Sequence, residues 1–329
     1  MSTWNHSPDE DKMSRGPLYE ENYHPQFSGH ETFPLRYGWL KKAFDAITTS
    51  DETIDNRSVF LQEDAIAKFG VGKNMVASIR HWASSVGVIE DDQKSGRILP
   101  TVLGELLFGT ADAKGLDPYL EDPSTLWLIH WQLCGRPTKT TWYWAFNHFP
   151  NDLFERHNLS DGLEKLASDR VWGRTAAATI KRDVECFVRT YVVRLAAGKT
   201  SSEDTLESPL AELGLIKPVG RRDGFRLVRG SKPSLGCGVF LFALIEFWLN
   251  SSYAGLNQLP FDAIARAPGS PGRVFLLDEN DLADRLMNIE ESSNGVLAWS
   301  ETSGIKGIIK KPNRVFKDNP IYYIRNDYK

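Results

Sequence analysis

The block 60–109, FLQEDAIAKFGVGKNMVASIRHWASSVGVIEDDQKSGRILPTVLGELLFG, leaves this chain few ways to fold. Its GVG at 70–72 separates a short helical segment, about Gln62 to Phe69, from a longer one, about Lys73 to Val86. Glycines at 70 and 72 permit a sharp reversal between two packed helices, which predicts a helix-turn-helix. On the second helix Met75, Ile79, Trp82 and Val86 recur at helical spacing and predict one buried stripe. The opposite face then carries Asn74, Ser78, His81 and Ser85, flanked by Lys73 and Arg80. Short polar side chains beside cations are what a helix presents to base edges and phosphates in a major groove. GVIEDDQKSGRILPT predicts a two-stranded wing that brings Lys94 and Arg97 toward the backbone, and a helix closes the unit. Winged helices also serve protein contacts, and this one has few cations, so both uses stand for it.

A second helix pair is predicted in LSDGLEKLASDRVWGRTAAATIKRDVECFVRTYVVRLAAGK, with Ser160 as cap of the first helix and a second helix from about Thr175 to Ala196. Ile180, Val184, Phe187, Tyr191 and Leu195 form its buried stripe, leaving Arg174, Lys181, Arg182, Arg189 and Arg194 outside it or at its margins. That cation density suits phosphate, and equally a solvated bundle face. Between the pairs, DPSTLWLIHWQLCGRPTKTTWYWAFNHF places Trp127, His130, Trp131 and Cys134 on one stripe and Trp142, Phe146 and Phe149 on another. These predict a helical hairpin core in which His130 is a hydrogen-bonded core residue rather than a catalyst. A base-stacking platform is the alternative use of such aromatics.

Further on, alternation around Phe225, Leu227 and Val228 with the turn RRDG predicts a hairpin carrying Arg221, Arg222, Arg226 and Arg229. A buried helix over 238–250, a helix at LPFDAIARA, a helix over DENDLADRLMNIEES capped by Asp278, and closing strands at GVLAWSETSGIKGIIK follow. They suggest another winged helix, with Lys310, Lys311 and Arg314 beyond its wing. The expected fold class is mostly α with small β wings (α+β): tandem winged-helix or helix-turn-helix subdomains around a Trp-rich helical core. The expected division is a disordered acidic arm at 1–26, a winged-helix domain at 27–110, a helical domain with the second helix pair at 111–200, and a winged-helix-like domain at 201–329.

Composition excludes several classes. The chain of 329 residues is 41% hydrophobic and 25% charged, an ordinary globular composition. CGVFLFALIEFWL is too short for a bilayer span and contains Glu246, and the start MSTWNHSPDEDKM lacks a signal-peptide pattern, so the expectation is a cytoplasmic protein without membrane contact. Cys134, Cys186 and Cys237 show no metal spacing and are expected as small core residues, with no zinc. No GxxxxGK[ST] is present, so no nucleotide is expected. The net charge of −4 and pI near 6.0 argue against bulk coating of nucleic acid. The charge is uneven, however: seven Lys or Arg against two acids over 170–199, six against one over 217–232, and five against none over 306–317. These segments read as local patches for a polyanion or as solvated faces.

The stretch FSGHETFPLRYGWLKK at 27–42 admits two readings. In one, His30 is a general base and Arg36 holds a phosphate, with Glu31 beside them. In the other, Glu31 and Thr32 satisfy backbone groups at the start of a helix over FPLRYGWLKKAFDAI while Phe33 and Trp39 dock it on the core.

FSGHETFPLRYGWLKKAFD, DPSTLWLIHWQL with TTWYWAFNHF, RDVECFVRTYV, ESPLAELGLI and SPGRVFLLDENDL, in that order, resemble the bacterial DUF-4007 family from Phe27 to about Lys311. The resemblance implies the SspB-type component of DNA phosphorothioation systems, which replace a non-bridging phosphate oxygen by sulfur. It implies as partners DNA, a cysteine desulfurase, a PAPS-reductase-like protein and an ATPase. It also implies DNA nicking; a metal-dependent nickase would take Mg²⁺ or Mn²⁺ on a carboxylate cluster, for which the residues show no nuclease signature and define no metal ligands. Two functions stand: a DNA nickase with its site near His30, Glu31 and Arg36, dimeric or within a complex, and a non-catalytic adaptor that places the sulfur-transfer enzymes on DNA.

Overall fold

The computed structural model describes residues 15–49, 56–61, 64–173, 175–193, 208–220, 223–302, 304–312 and 320–328. Helices make up about half of the described residues, and three small antiparallel sheets make up the rest of their regular structure. The N-terminal helices are α1 (Trp39–Thr48), α2 (Asp64–Phe69) and α3 (Lys73–Ser85). Strands β1 (Ile89–Asp91) and β2 (Ile98–Pro100) pair antiparallel, and α4 (Val102–Phe108) follows, capped by Thr101. Gly70, at φ 65°, makes the reversal between α2 and α3 in a conformation that side chains disfavour.

The order helix, GVG turn, helix, two-stranded hairpin and closing helix is therefore as the periodicity predicts. The stretch 27–38 is different. Residues 33–36 are irregular, and α1 begins only at Trp39, after Gly38 in a left-handed conformation. Glu31 and Thr32, at φ 46° and 66°, thus lie in a turn well before the helix and do not cap it.

The aromatic hairpin is α5 (Pro123–Cys134), capped by Asp122, and α6 (Thr140–Asn147). Every residue from Ser124 to Cys134 is buried, so α5 is enclosed on all sides and not by a single stripe. Next come β3 (Leu153–Glu155), α7 (Arg156–Asp169) and α8 (Ala177–Tyr191). The sequence places a cap at Ser160, but α7 starts earlier, at a capping box of Glu155 and Asn158. Ser160 is buried inside the helix, its hydroxyl on the Arg156 carbonyl. On α8 the stripe Ile180, Val184, Phe187 and Tyr191 is buried; Leu195 and Arg194 lie outside the described residues.

Strands β4 (Ile216–Val219) and β5 (Gly224–Leu227) form the expected hairpin, and β3 adds to the far edge of β5. The segment α9 (Cys237–Asn250) is the predicted buried helix, followed by β6 (Gln258–Pro260), α10 (Phe261–Arg266) and α11 (Pro271–Val274). Asp278 caps α12 (Glu279–Met287), which ends at Asn288 before the short α13 (Ile289–Ser292) instead of continuing to Ser292 as one helix. Strands β7 (Leu297–Thr302) and β8 (Ile305–Lys310) complete a sheet of order β6-β8-β7, and α14 (Ile321–Ile324) packs on α9. Among the described residues no helix is long and apolar enough to cross a membrane.

One hydrophobic core runs from Leu18 to Ile324 across all the expected subdomains. Residues 15–26, expected within a disordered arm, are packed on it: Leu18 is fully buried and the Tyr23 hydroxyl donates to the Pro137 carbonyl. Residues 1–14 lie outside the described residues. Cys134 and Cys186 are buried as expected, whereas Cys237, the first residue of α9, is exposed.

Candidate functional site

The stretch 27–36 is laid across α3 and α8. His30 is buried, and its Nδ1 accepts from the Thr32 N–H at 3.0 Å. Its Nε2 therefore carries the proton and donates to Asp183 Oδ1 on α8 at 2.8 Å, which also accepts from the Ser28 N–H. Both ring nitrogens are thus occupied in holding the loop to the helix. Arg36 is buried with its guanidinium over the rings of Phe33 and Trp39, whereas Glu31 is exposed, so the three residues share no common surface. This geometry supports the docking reading of the stretch.

The same loop changes the face assigned to α3. Ser78 is fully buried and donates to the His30 carbonyl, and His81 lies edge-on to the His30 ring with centroids 5.9 Å apart. Gly29 is required here, since a Cβ would sit 2.4 Å from His81 Nδ1. Ser78 and His81 are therefore covered, whereas Lys73, Asn74, Ala77 and Ser84 are exposed. Two helix faces are both amphipathic enough to be covered, and the sequence of α3 alone does not say that a loop from 48 residues upstream covers the polar one.

Beside His81 opens a cleft of about 600 Å³ between α3, residues 24–26, Phe60 and Leu61, and the loop 136–139 that joins α5 to α6. Arg80, Arg136, Lys139, His24 and His81 line it, and no carboxylate does so among the described residues. Arg80 is paired with Asp91 of the wing at 2.9 Å, and Arg136 with Glu246 of α9, which also accepts from Trp131 Nε1 at 3.0 Å. Lys139 is different: among the described residues its ammonium has no hydrogen-bond or ion-pair partner. Burial lowers its pKa, against the opposing pull of the Asp183 carboxylate. Burial, then the charge of Lys139 and the neighbouring His30, push the His81 imidazole down to about 2, so it is neutral at ordinary pH. Sequence reading missed Arg136, Lys139 and His24 at this site; the only signal was the GRPTK linker between two aromatic helices.

The remaining expected site residues do not join this cleft. Lys94 is exposed on the wing turn and Arg97 half-buried there; Lys181 and Arg182 are exposed on α8. Lys310 stacks over the Trp248 ring and Lys311 pairs with Glu290. Arg174, Arg221, Arg222 and Arg314 lie outside the described residues.

Fold and cleft define a mixed α/β protein, about half helical, whose open cleft between a helix pair and an aromatic hairpin is cationic. A family model described as "Protein of unknown function (DUF4007)" matches residues 27–322, and the chain belongs to this family. It is similar to a structure described as "Magnesium ion-bound SspB crystal structure", with a TM-score of 0.76 and 31% identity over 92% of this chain and 87% of that one. It is similar also to "SspB crystal structure", with a TM-score of 0.75, 29% identity and the same coverage. No curated relative matches the chain.

Magnesium takes oxygen ligands and is commonly held by one or two carboxylates together with substrate phosphates. Among the described residues no three of His, Cys, Asp and Glu gather as a ligand group. The carboxylates that reach the cleft's neighbourhood are engaged: Asp91 by Arg80, Glu246 by Arg136 and Trp131, and Asp183 by His30 and Ser28 through its Oδ1. Among the described residues this donor set does not fit a preassembled Mg²⁺ or Mn²⁺ site.

Proposed function

We propose that this protein is the DNA-engaging component of a phosphorothioate modification system, working beside a cysteine desulfurase, a PAPS-reductase-like protein and an ATPase. The observation that carries the reading is the likeness to SspB along nearly the whole chain. The succession α1, α2, α3, β1, β2 supports a winged helix within 27–110. The succession α9, β6, α10, α12, β7, β8, with sheet order β6-β8-β7, supports another within 201–329. DNA phosphates meet the exposed cations Lys73, Lys94, Lys181 and Arg182, and Asn74 faces the bases.

Fluorescence anisotropy with a labelled duplex, repeated across salt concentrations, tests this. The logarithm of affinity should fall linearly with the logarithm of salt, and Lys181→Ala with Arg182→Ala should flatten the slope by about 2. Absence of salt-dependent binding overturns the reading.

The description of the similar structure as magnesium ion-bound favours a second reading, in which the protein also nicks DNA. The metal would then come to the protein with DNA phosphates. Conversion of supercoiled plasmid to open circles with Mg²⁺ or Mn²⁺ distinguishes this nickase from the adaptor, which binds DNA and leaves it intact.

A further inference from the structure

Lys139 stands where folding stability alone favours the opposite charge. It is the N-cap residue of α6 and offers no side-chain cap to the first turn. Helix N-termini carry partial positive charge and unsatisfied N–H groups, so carboxylates and hydroxyls are favoured there and cations are not. Lys139 is moreover half-buried and lacks a hydrogen-bonded partner among the described residues. Desolvating an ammonium without pairing it costs free energy. Each of these costs would be relieved by one bound anion.

The surroundings are built for such a ligand. Arg80 and Arg136 line the same cleft, each fixed by one carboxylate and each keeping further guanidinium N–H groups. Behind the lining residues, Gln132 is 2% exposed and its Oε1 has no hydrogen-bond partner among the described residues. That oxygen lies beside Gly87, which lines the cleft: a Cβ on Gly87 would be 3.5 Å from it and 3.9 Å from an Arg136 nitrogen. A buried amide oxygen left unbonded marks a place where a donor is missing. The space, about 600 Å³, accommodates a nucleotide unit.

We propose that the cleft between α3 and the 136–139 loop is a phosphate-binding site, with Lys139 as the capturing cation and Arg80 and Arg136 as flanking donors. The ligand class is a nucleic-acid phosphodiester or a free phosphate compound. The first source rests on the DNA-binding reading above; the site itself does not.

The test uses the full chain and Lys139→Gln, followed by thermal unfolding alone and with inorganic phosphate, ADP or a single-stranded deoxythymidine decamer. Without ligand, the variant should unfold about 1–2 °C above the wild type, since it loses a partly desolvated cation at a helix N-terminus. The decamer should stabilise the wild type and bind the variant about tenfold more weakly. If phosphate or ADP stabilises the wild type through Lys139 and the decamer does not, the site stands and its assignment to DNA falls. If the variant is less stable than the wild type and responds to every ligand as the wild type does, the site is refuted. The site is equally refuted if no ligand stabilises the wild type.

Discussion

Two polar neighbourhoods sit within one aromatic interior and are built to opposite rules. Around His130, in α5, every group is satisfied: Nε2 donates to the Val274 carbonyl and Nδ1 accepts from the Tyr191 hydroxyl, both at 2.8 Å, while Phe146, Phe275 and Trp127 close around the ring. Around His81, at the cleft, Lys139 has no bonded partner among the described residues, Asp183 Oδ2 is buried without one there, and so is Gln132 Oε1. Satisfied buried groups hold a unique core together, whereas unsatisfied ones lower stability unless something else uses them. The contrast separates the polar residues that serve folding from those that await a ligand.

The largest effect expected from this contrast is at the sealed site. His130→Ala should remove about 3 kcal/mol from the unfolding free energy in urea, because it leaves a cavity and strands the Tyr191 hydroxyl and the Val274 carbonyl. His81→Ala, at the wall of an open cleft, should cost clearly less; equal losses would erase the distinction.

The pH dependence sharpens it. Burial pushes the His130 imidazole from its ordinary 6.5 down to about 4, against the pull of the Val274 carbonyl. A folded-state pKa below the unfolded one means that stability is fully present above pH 6.5 and lost as the pH falls through 4. The loss is about 3 kcal/mol for this group. Urea unfolding of the wild type and of His130→Gln at a series of pH values checks this: the variant should show a shallower acid decline, and superimposable profiles would remove His130 from the account.

The smallest effect concerns the open site. Burial is the main cause of the low His81 pKa, and the charge of Lys139 comes next. In Lys139→Gln the His81 titration, followed by the NMR shift of its ring protons, should move upward without reaching the ordinary value. An unmoved titration would mean that Lys139 and His81 do not share the cleft as described.

Much of this fold is legible in the sequence, because helix and strand periods are local properties. The GVG reversal, the spacing of Ile79, Trp82 and Val86, and the alternation around Phe225 each specify an element and its buried residues. The aromatic hairpin and the core role of His130 follow from the same reasoning, and the DUF4007 resemblance supplies the family. The functional assignments were less legible. For the stretch holding His30 the sequence admits a catalytic and an architectural reading, and only the positions of the Thr32 amide and Asp183, one two residues away and the other far along the chain, decide how the His30 nitrogens are used.

The sequence by itself determined the order of most helices and hairpins and which residues can share a face, though not where every helix begins and ends. Tertiary structure alone decided which faces are covered and which groups meet. The loop at 27–36 closes over Ser78 and His81, and the linker 136–139 brings Arg136 and Lys139 to a cleft beside Arg80. The physical reason is range. Dihedral preference and hydrophobic spacing act between near neighbours along the chain, whereas desolvation, charge and hydrogen-bond satisfaction depend on neighbours in space.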